Sequence, residues 1–201
     1  MRDAALRQQK DRLLQPLAAR LFAQIHPNVI STVALIIGLL AAGAALYHLY
    51  WLGLGLWLLN RVLDGLDGVV ARHYQKQSDF GGYLDLFFDF VVYLAVPVAF
   101  TLAMPTVPVL GALIALLASY YLNTMSWMGL AALLEKRQRT TQQRQTSLEM
   151  PTGLIEGAET IVLYATFFLF PGAVSWLFGL MALLVLFTAG QRLGWAYRYL
   201  R

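Results

Sequence analysis

Asp64, Asp67, Asp85 and Asp89 stand inside stretches that are otherwise apolar enough to cross a membrane. A carboxylate at that depth is costly, so such residues face a bundle interior or a wet cavity and mark chemistry or ion passage. Asp64, Asp67, Gly68, Ala71 and Arg72 recur at i, i+3, i+4, i+7 and i+8, one stripe of a helix. Gly81, Asp85 and Asp89 recur at i, i+4 and i+8 on the next helix, with Ser78 just ahead. Two such stripes joined by a short turn bring four acids together. Their repulsion is relieved by protons or by a divalent cation, and a metal site is the better reading. Ligands that are all oxygen suit Mg2+ or Mn2+ and disfavour zinc.

The elements that must hold these residues are membrane helices. The chain is 59% hydrophobic and only 13% charged, outside the range of ordinary soluble domains. Windows of ~20 apolar residues predict about six spans, near 29–48, 51–71, 80–103, 107–134, 154–170 and 173–194. The expected fold is an all-α integral membrane protein, a single domain over 1–201 with an interfacial helix at 1–25 and a transmembrane bundle at 26–201. In the first 25 residues, Leu6, Leu13, Leu14, Leu17, Leu21 and Phe22 oppose Arg7, Lys10, Arg12 and Arg20, the pattern of a helix lying in the membrane surface. The apolar run that follows is too long and begins too late for a cleaved signal.

Charge placement orients the bundle. The connections near 48–51, 104–107 and 170–173 contain no Lys or Arg. The N-terminal segment, Arg72, Lys76, the 136–144 stretch and the C-terminus carry nearly all the basic residues, which puts both termini in the cytoplasm. Arg61, within the second span, is the basic residue left over. The sequence pI of 9.5 follows from this bias and from contact with anionic lipid, so no nucleic-acid partner is expected. The chain has no cysteine, which excludes disulfides and thiolate ligands. Asp64 falls about two turns, ~12 Å, from the cytoplasmic end of its helix. The acids therefore gather just inside the cytoplasmic leaflet, where a substrate with a polar head and an acyl tail can reach them.

The run Asp64-x2-Asp67-Gly68-x2-Ala71-Arg72-x8-Gly81-x3-Asp85-x3-Asp89 resembles the motif of the CDP-alcohol phosphotransferase family, integral membrane enzymes of phospholipid synthesis. All eight fixed positions match without a gap, and Pro27-Asn28-Val29-Ile30-Ser31 resembles the start of the family's first span. The resemblance implies a phospholipid-synthesis transferase that moves a phosphoalcohol group, expected to be phosphatidyl, from a CDP-linked donor such as CDP-diacylglycerol to a hydroxyl acceptor, releasing CMP. It implies Mg2+ or Mn2+ on Asp64, Asp67, Asp85 and Asp89, with Asp89 also the general base. It assigns Asn28, Ser31, Gly68, Ala71, Arg72, Ser78 and Gly81 to the donor site. A homodimer in a bacterial-type inner membrane, with its active site on the cytoplasmic side, is expected.

Acceptor contacts are expected from Lys136, Arg137, Arg139 and Arg144, and from Glu156 and Glu159 at the start of the fifth span. Positive-inside bias alone accounts for the first four, and the helix macrodipole for the two acids. The resemblance implies a basic residue near this span in members that act on phosphorylated polyols; residues 145–160 contain no Lys or Arg, with Arg144 the nearest, which weighs against a sugar-phosphate acceptor and leaves serine or glycerol-type acceptors open. The rival reading is a membrane transporter of divalent cations or protons, which also places acids in its spans. Such a pathway would cross the whole bilayer, whereas the outer halves of these spans carry no acid.

Overall fold

The structure, a computed structural model, describes residues 25–141 and 153–200, the side chains of 138–141 excepted. The expected interfacial helix at 1–25 lies, apart from Ile25, outside the described residues. The described residues are almost wholly helical and contain no strand. They form α1 (Pro27–Leu46), α2 (Tyr50–His73), α3 (Asp79–Ala103), α4 (Val107–Thr141), α5 (Gly157–Leu169) and α6 (Val174–Leu200), with a 3-10 turn at Pro171–Ala173. The chain divides into two units, Met1–Ala103 and Met104–Arg201.

In the first unit, α1 packs along both α2 and α3. Pro27 occupies the first turn of α1, where its missing N–H costs nothing, and the His26 ring accepts a hydrogen bond from the Asn28 N–H at 3.3 Å. The α1–α2 turn passes through His48, whose φ of 60° is left-handed; its Nδ1 lies 2.7 Å from the Tyr50 hydroxyl. The α2–α3 turn likewise uses a left-handed residue, Gln75. Ser78 then caps α3 by accepting from the Gly81 N–H at 3.0 Å. Gly38 lets the helices close: a Cβ there would lie 2.6 Å from a Val92 methyl and 3.0 Å from the Asn60 amide nitrogen. Pro97 sits within α3, and its carbonyl accepts a bond from Thr101 Oγ1 at 3.0 Å.

In the second unit, α4 and α6 pack along each other. Their core holds Leu116, Tyr164, Phe167, Phe178 and Met181, all essentially inaccessible. The Tyr120 and Tyr164 hydroxyls meet at 2.9 Å, so both phenols keep a partner within apolar surroundings.

Helices α1, α3, α4 and α6 are long and apolar enough to cross a membrane by length and composition. Helix α2 is as long, at 24 residues, but Arg61, Asp64, Asp67 and Arg72 lower its hydropathy. The expected fifth span differs from the structure. Helix α5 has 13 residues, about 20 Å at 1.5 Å per residue, less than the ~30 Å hydrocarbon core. The chain ahead of it, 153–156, is not helical. There the Leu154 and Ile155 N–H groups bond Gln191 Oε1 and Thr188 Oγ1 of α6, each at 3.0 Å. Irregular backbone is tolerated within a membrane where protein side chains satisfy it in this way.

Candidate active site

The eight motif residues all line two adjoining pockets among α1, α2 and α3. The first is bordered by Asn28, Ser31, Asp67, Gly68, Ala71, Arg72, Ser78, Gly81 and Asp85, with Lys76 and Gln77 from the turn. The second is bordered by Asp64, Asp85 and Asp89, with Ser31, Asn60 and Arg61. Asp85 and Ser31 border both, so the two lie side by side as a two-part acidic groove.

The helical stripe explains the convergence. Asp64 and Asp67 point from α2, Asp85 and Asp89 from α3, and α1 closes the groove with Ser31. Asp67 is buried and accepts a hydrogen bond from Ser31 Oγ at 2.5 Å. Asp89 accepts one from Arg61 Nη1 at 2.8 Å, and the same nitrogen lies 3.7 Å from Asp64 Oδ2. Among the described residues no three acidic or histidine side chains are gathered closely enough to hold a metal ion as they stand. As a donor set, four carboxylates around one groove still match a hard divalent cation.

The glycines have definite roles. A Cβ on Gly81 would lie 3.0 Å from Ser78 Oγ and 3.1 Å from Asn28 Oδ1, so this glycine lets α3 begin against the start of α1. Above Gly68 the open space holds the Arg72 guanidinium, whose Nη1 would be 3.1 Å from an added Cβ. Gly68 therefore leaves room for Arg72. Ser78 carries two duties, since the oxygen that caps α3 also borders the pocket.

The expected acceptor residues belong to the second unit. Glu156 and Glu159 form a capping box at the start of α5, with the Glu156 N–H bonded to Glu159 Oε2 at 3.2 Å. Glu156 Oε1 also accepts from the Gly153 N–H at 2.8 Å. These acids thus build the turn into α5. Lys136 and Arg137 are exposed near the end of α4, where Arg137 donates to the Leu200 carbonyl at 2.6 Å. The side chain of Arg139, and Arg144 entirely, lie outside the described residues.

Two groups were not picked out as site residues from the sequence. Asn60 and Arg61 lie four and three residues ahead of Asp64, and an ionisable residue in mid-span was the available signal. Arg192 of α6 donates to Asn123 Oδ1 at 2.7 Å, and its guanidinium lies 3.5 Å from where a Cβ on Gly153 would be. It supplies a cation beside the start of α5, where residues 145–160 have none. No local pattern announces it.

With this geometry, comparison with known proteins is direct. The family model for CDP-alcohol phosphatidyltransferase matches residues 24–190. The chain belongs to that family. It is 37% identical over 165 residues to the inner membrane protein YnjF of Escherichia coli (strain K12), covering 76% of this chain and 79% of that protein. The fold is similar to that of Mycobacterium tuberculosis phosphatidylinositol phosphate synthase (PgsA1) with CDP-DAG bound, at a TM-score of 0.67 and 20% identity over 91% of this chain and 92% of that one. The same synthase in complex with manganese and citrate gives a TM-score of 0.65 at 18% identity, over 93% of this chain and 87% of that one. Family membership supports a CDP-alcohol phosphotransferase activity and weighs against the transporter reading.

Proposed function

We propose that this protein transfers a phosphatidyl group from a CDP-linked lipid, CDP-diacylglycerol in the leading case, to the hydroxyl of a small acceptor, releasing CMP. The observation that supports this reading is the complete motif set, its eight residues distributed over two adjoining pockets that share Asp85. The CDP-DAG bound to the M. tuberculosis neighbour supports the donor class. Arg72 is placed to pair with a phosphate through its planar fork, and Asn28, Ser31 and Ser78 offer polar contacts to the head group. Asp89 takes the proton from the acceptor hydroxyl. The hydroxyl oxygen then bonds to the phosphorus that bears the lipid alcohol, and the bond from that phosphorus to the CMP oxygen breaks. Mg2+ or Mn2+ held by Asp64, Asp67, Asp85 and Asp89 would offset charge on the diphosphate and on departing CMP. The manganese of the neighbouring synthase supports such a cofactor.

The apolar helices, and a relative named as an inner membrane protein, support an integral protein of a bacterial inner membrane. We place the groove on its cytoplasmic side, both termini in the cytoplasm, and two copies in the working unit. Lys136 and Arg137, with Arg139 and Arg144, remain the proposed acceptor contacts, while Glu156 and Glu159 act through the turn they build. The test is purified protein with CDP-diacylglycerol and Mg2+ or Mn2+, offered glycerol phosphate, inositol phosphate, inositol and serine in turn. Metal-dependent CMP release with one of them is the expected result. Absence of CMP with every acceptor would overturn the proposal.

A further inference from the structure

Arg61 stands in the middle of α2, three residues ahead of Asp64 and outside the family motif. It is buried, and its surroundings fix it from several directions. Nε donates to Asn60 Oδ1 at 2.7 Å, and Asn60 in turn donates through Nδ2 to the Ala34 carbonyl of α1 at 2.7 Å. Nη1 donates to Asp89 Oδ1 at 2.8 Å and to the Tyr93 hydroxyl at 3.1 Å. The guanidinium carbon lies 4.8 Å from the Trp57 ring centre and 5.1 Å from that of Tyr93. Trp57 is itself fully buried. A planar cation stacked on two rings and bonded along its edge has little freedom to swing aside.

Stapling helices would need nothing so specific, and buried ion pairs are weak sources of stability compared with apolar packing. What the arrangement does is commit one oxygen of Asp89 and set the plane of its carboxylate. It also puts one fixed positive charge between two of the four acids, 3.7 Å from Asp64. Any ion drawn to the groove meets a cluster that is already partly offset.

We propose that Arg61 is a positioning residue for Asp89: pinned by Trp57, Tyr93 and Asn60, it holds one carboxylate oxygen so that the other faces the reacting hydroxyl, and it shares Asp64 and Asp89 with a bound dication. This rests on the reading of Asp89 as the general base. Arg61 acts through its neighbour and touches no substrate. A helix-packing role alone would lower stability and leave the balance between kcat and KM alone.

The test separates charge from positioning. Arg61→Met and Arg61→Lys are purified in detergent beside the natural protein, and Mn2+ alone is titrated by electron paramagnetic resonance. Arg61→Met binds Mn2+ about tenfold more tightly, because a nearby positive charge is gone. Arg61→Lys keeps the charge and stays within about threefold of the natural affinity. In turnover of CDP-diacylglycerol, both lose kcat by about tenfold or more, while KM for the donor stays within about threefold. In an Asp89→Asn background, Arg61→Met produces no further loss of kcat. Unchanged or weaker Mn2+ binding in Arg61→Met, or equal and additive losses in both backgrounds, would overturn the proposal. Where neither Arg61 variant folds, Tyr93→Phe removes a single hydrogen bond and keeps the ring. It lowers kcat several-fold at unchanged Mn2+ affinity, and unchanged kcat counts against the proposal. Failure of the natural protein to bind Mn2+ or to release CMP sinks the functional reading instead, which keeps the two failures distinct.

Discussion

At the scale of single residues, the acids of the groove are not interchangeable, because each has a different partner. Asp89 sits against Arg61 and Asp67 against Ser31. Asp89→Asn keeps an oxygen that accepts from Arg61, so the variant folds while losing its basicity. CMP release should fall by at least ~100-fold, the lower end of what a positioned base contributes. A melting temperature close to that of the natural protein would show that the fold survives. Normal turnover would remove Asp89 from the role of base. Ser31→Ala deletes one bond to the buried Asp67, a hydrogen bond to a charged group worth about 1.5–3 kcal/mol. Thermal unfolding in detergent should register a loss of that order. No change would mean that the Ser31 contact contributes nothing to stability.

At the scale of elements, the groove exists because three helices come close where they carry small residues. Gly38 marks the tightest approach, with a Val92 methyl 2.6 Å from where a Cβ would be. Valine has no flexible end to move, so Gly38→Ala forces the helices apart or off their rotamers, at a cost of about 1–3 kcal/mol. Because Asn60 also lies at that contact, the Asn60–Arg61 chain to Asp89 should loosen with it. Lower melting temperature together with reduced CMP release is the expected pair of results. Loss of neither would show that the spacing of α1 is not critical. The capping of α3 by Ser78 and of α5 by the two glutamates makes the same point about element ends. Residues that look chemical in the sequence are also the ones that start helices, since both tasks call for short polar side chains.

At the scale of the whole molecule, orientation in the bilayer is the proposal most open to direct measurement. The chain has no cysteine, so single substitutions report without background. Lys76→Cys, in the turn between α2 and α3, should react with a membrane-impermeant maleimide only after spheroplasts are opened. Thr106→Cys, just before α4, should react from outside in intact spheroplasts. The reverse pattern would invert the topology and put the groove on the wrong side for a cytoplasmic nucleotide. The basis is the near-absence of Lys and Arg from one set of connections, which biases insertion independently of packing.

The sequence by itself determined the class of fold and the family motif, with its eight residues on two helical stripes. Those follow from hydropathy and from helical periodicity, which are local properties of consecutive residues. It also located the α-helices of the described residues to within a few residues at most ends, α4 and α6 running several residues further at their C-terminal ends. Only the tertiary structure decided the length of α5, because of the four residues before it Leu154 and Ile155 find their hydrogen bonds on α6, and Gly153 and Glu156 find theirs on the capping glutamates. Only the tertiary structure turned Glu156 and Glu159 into caps, brought Arg192 to Gly153 and gave Arg61 to Asp89. Each of these depends on residues about 28 or more apart in the chain or on backbone geometry, and pairing over such distances is set by how helices pack rather than by any pattern along one of them.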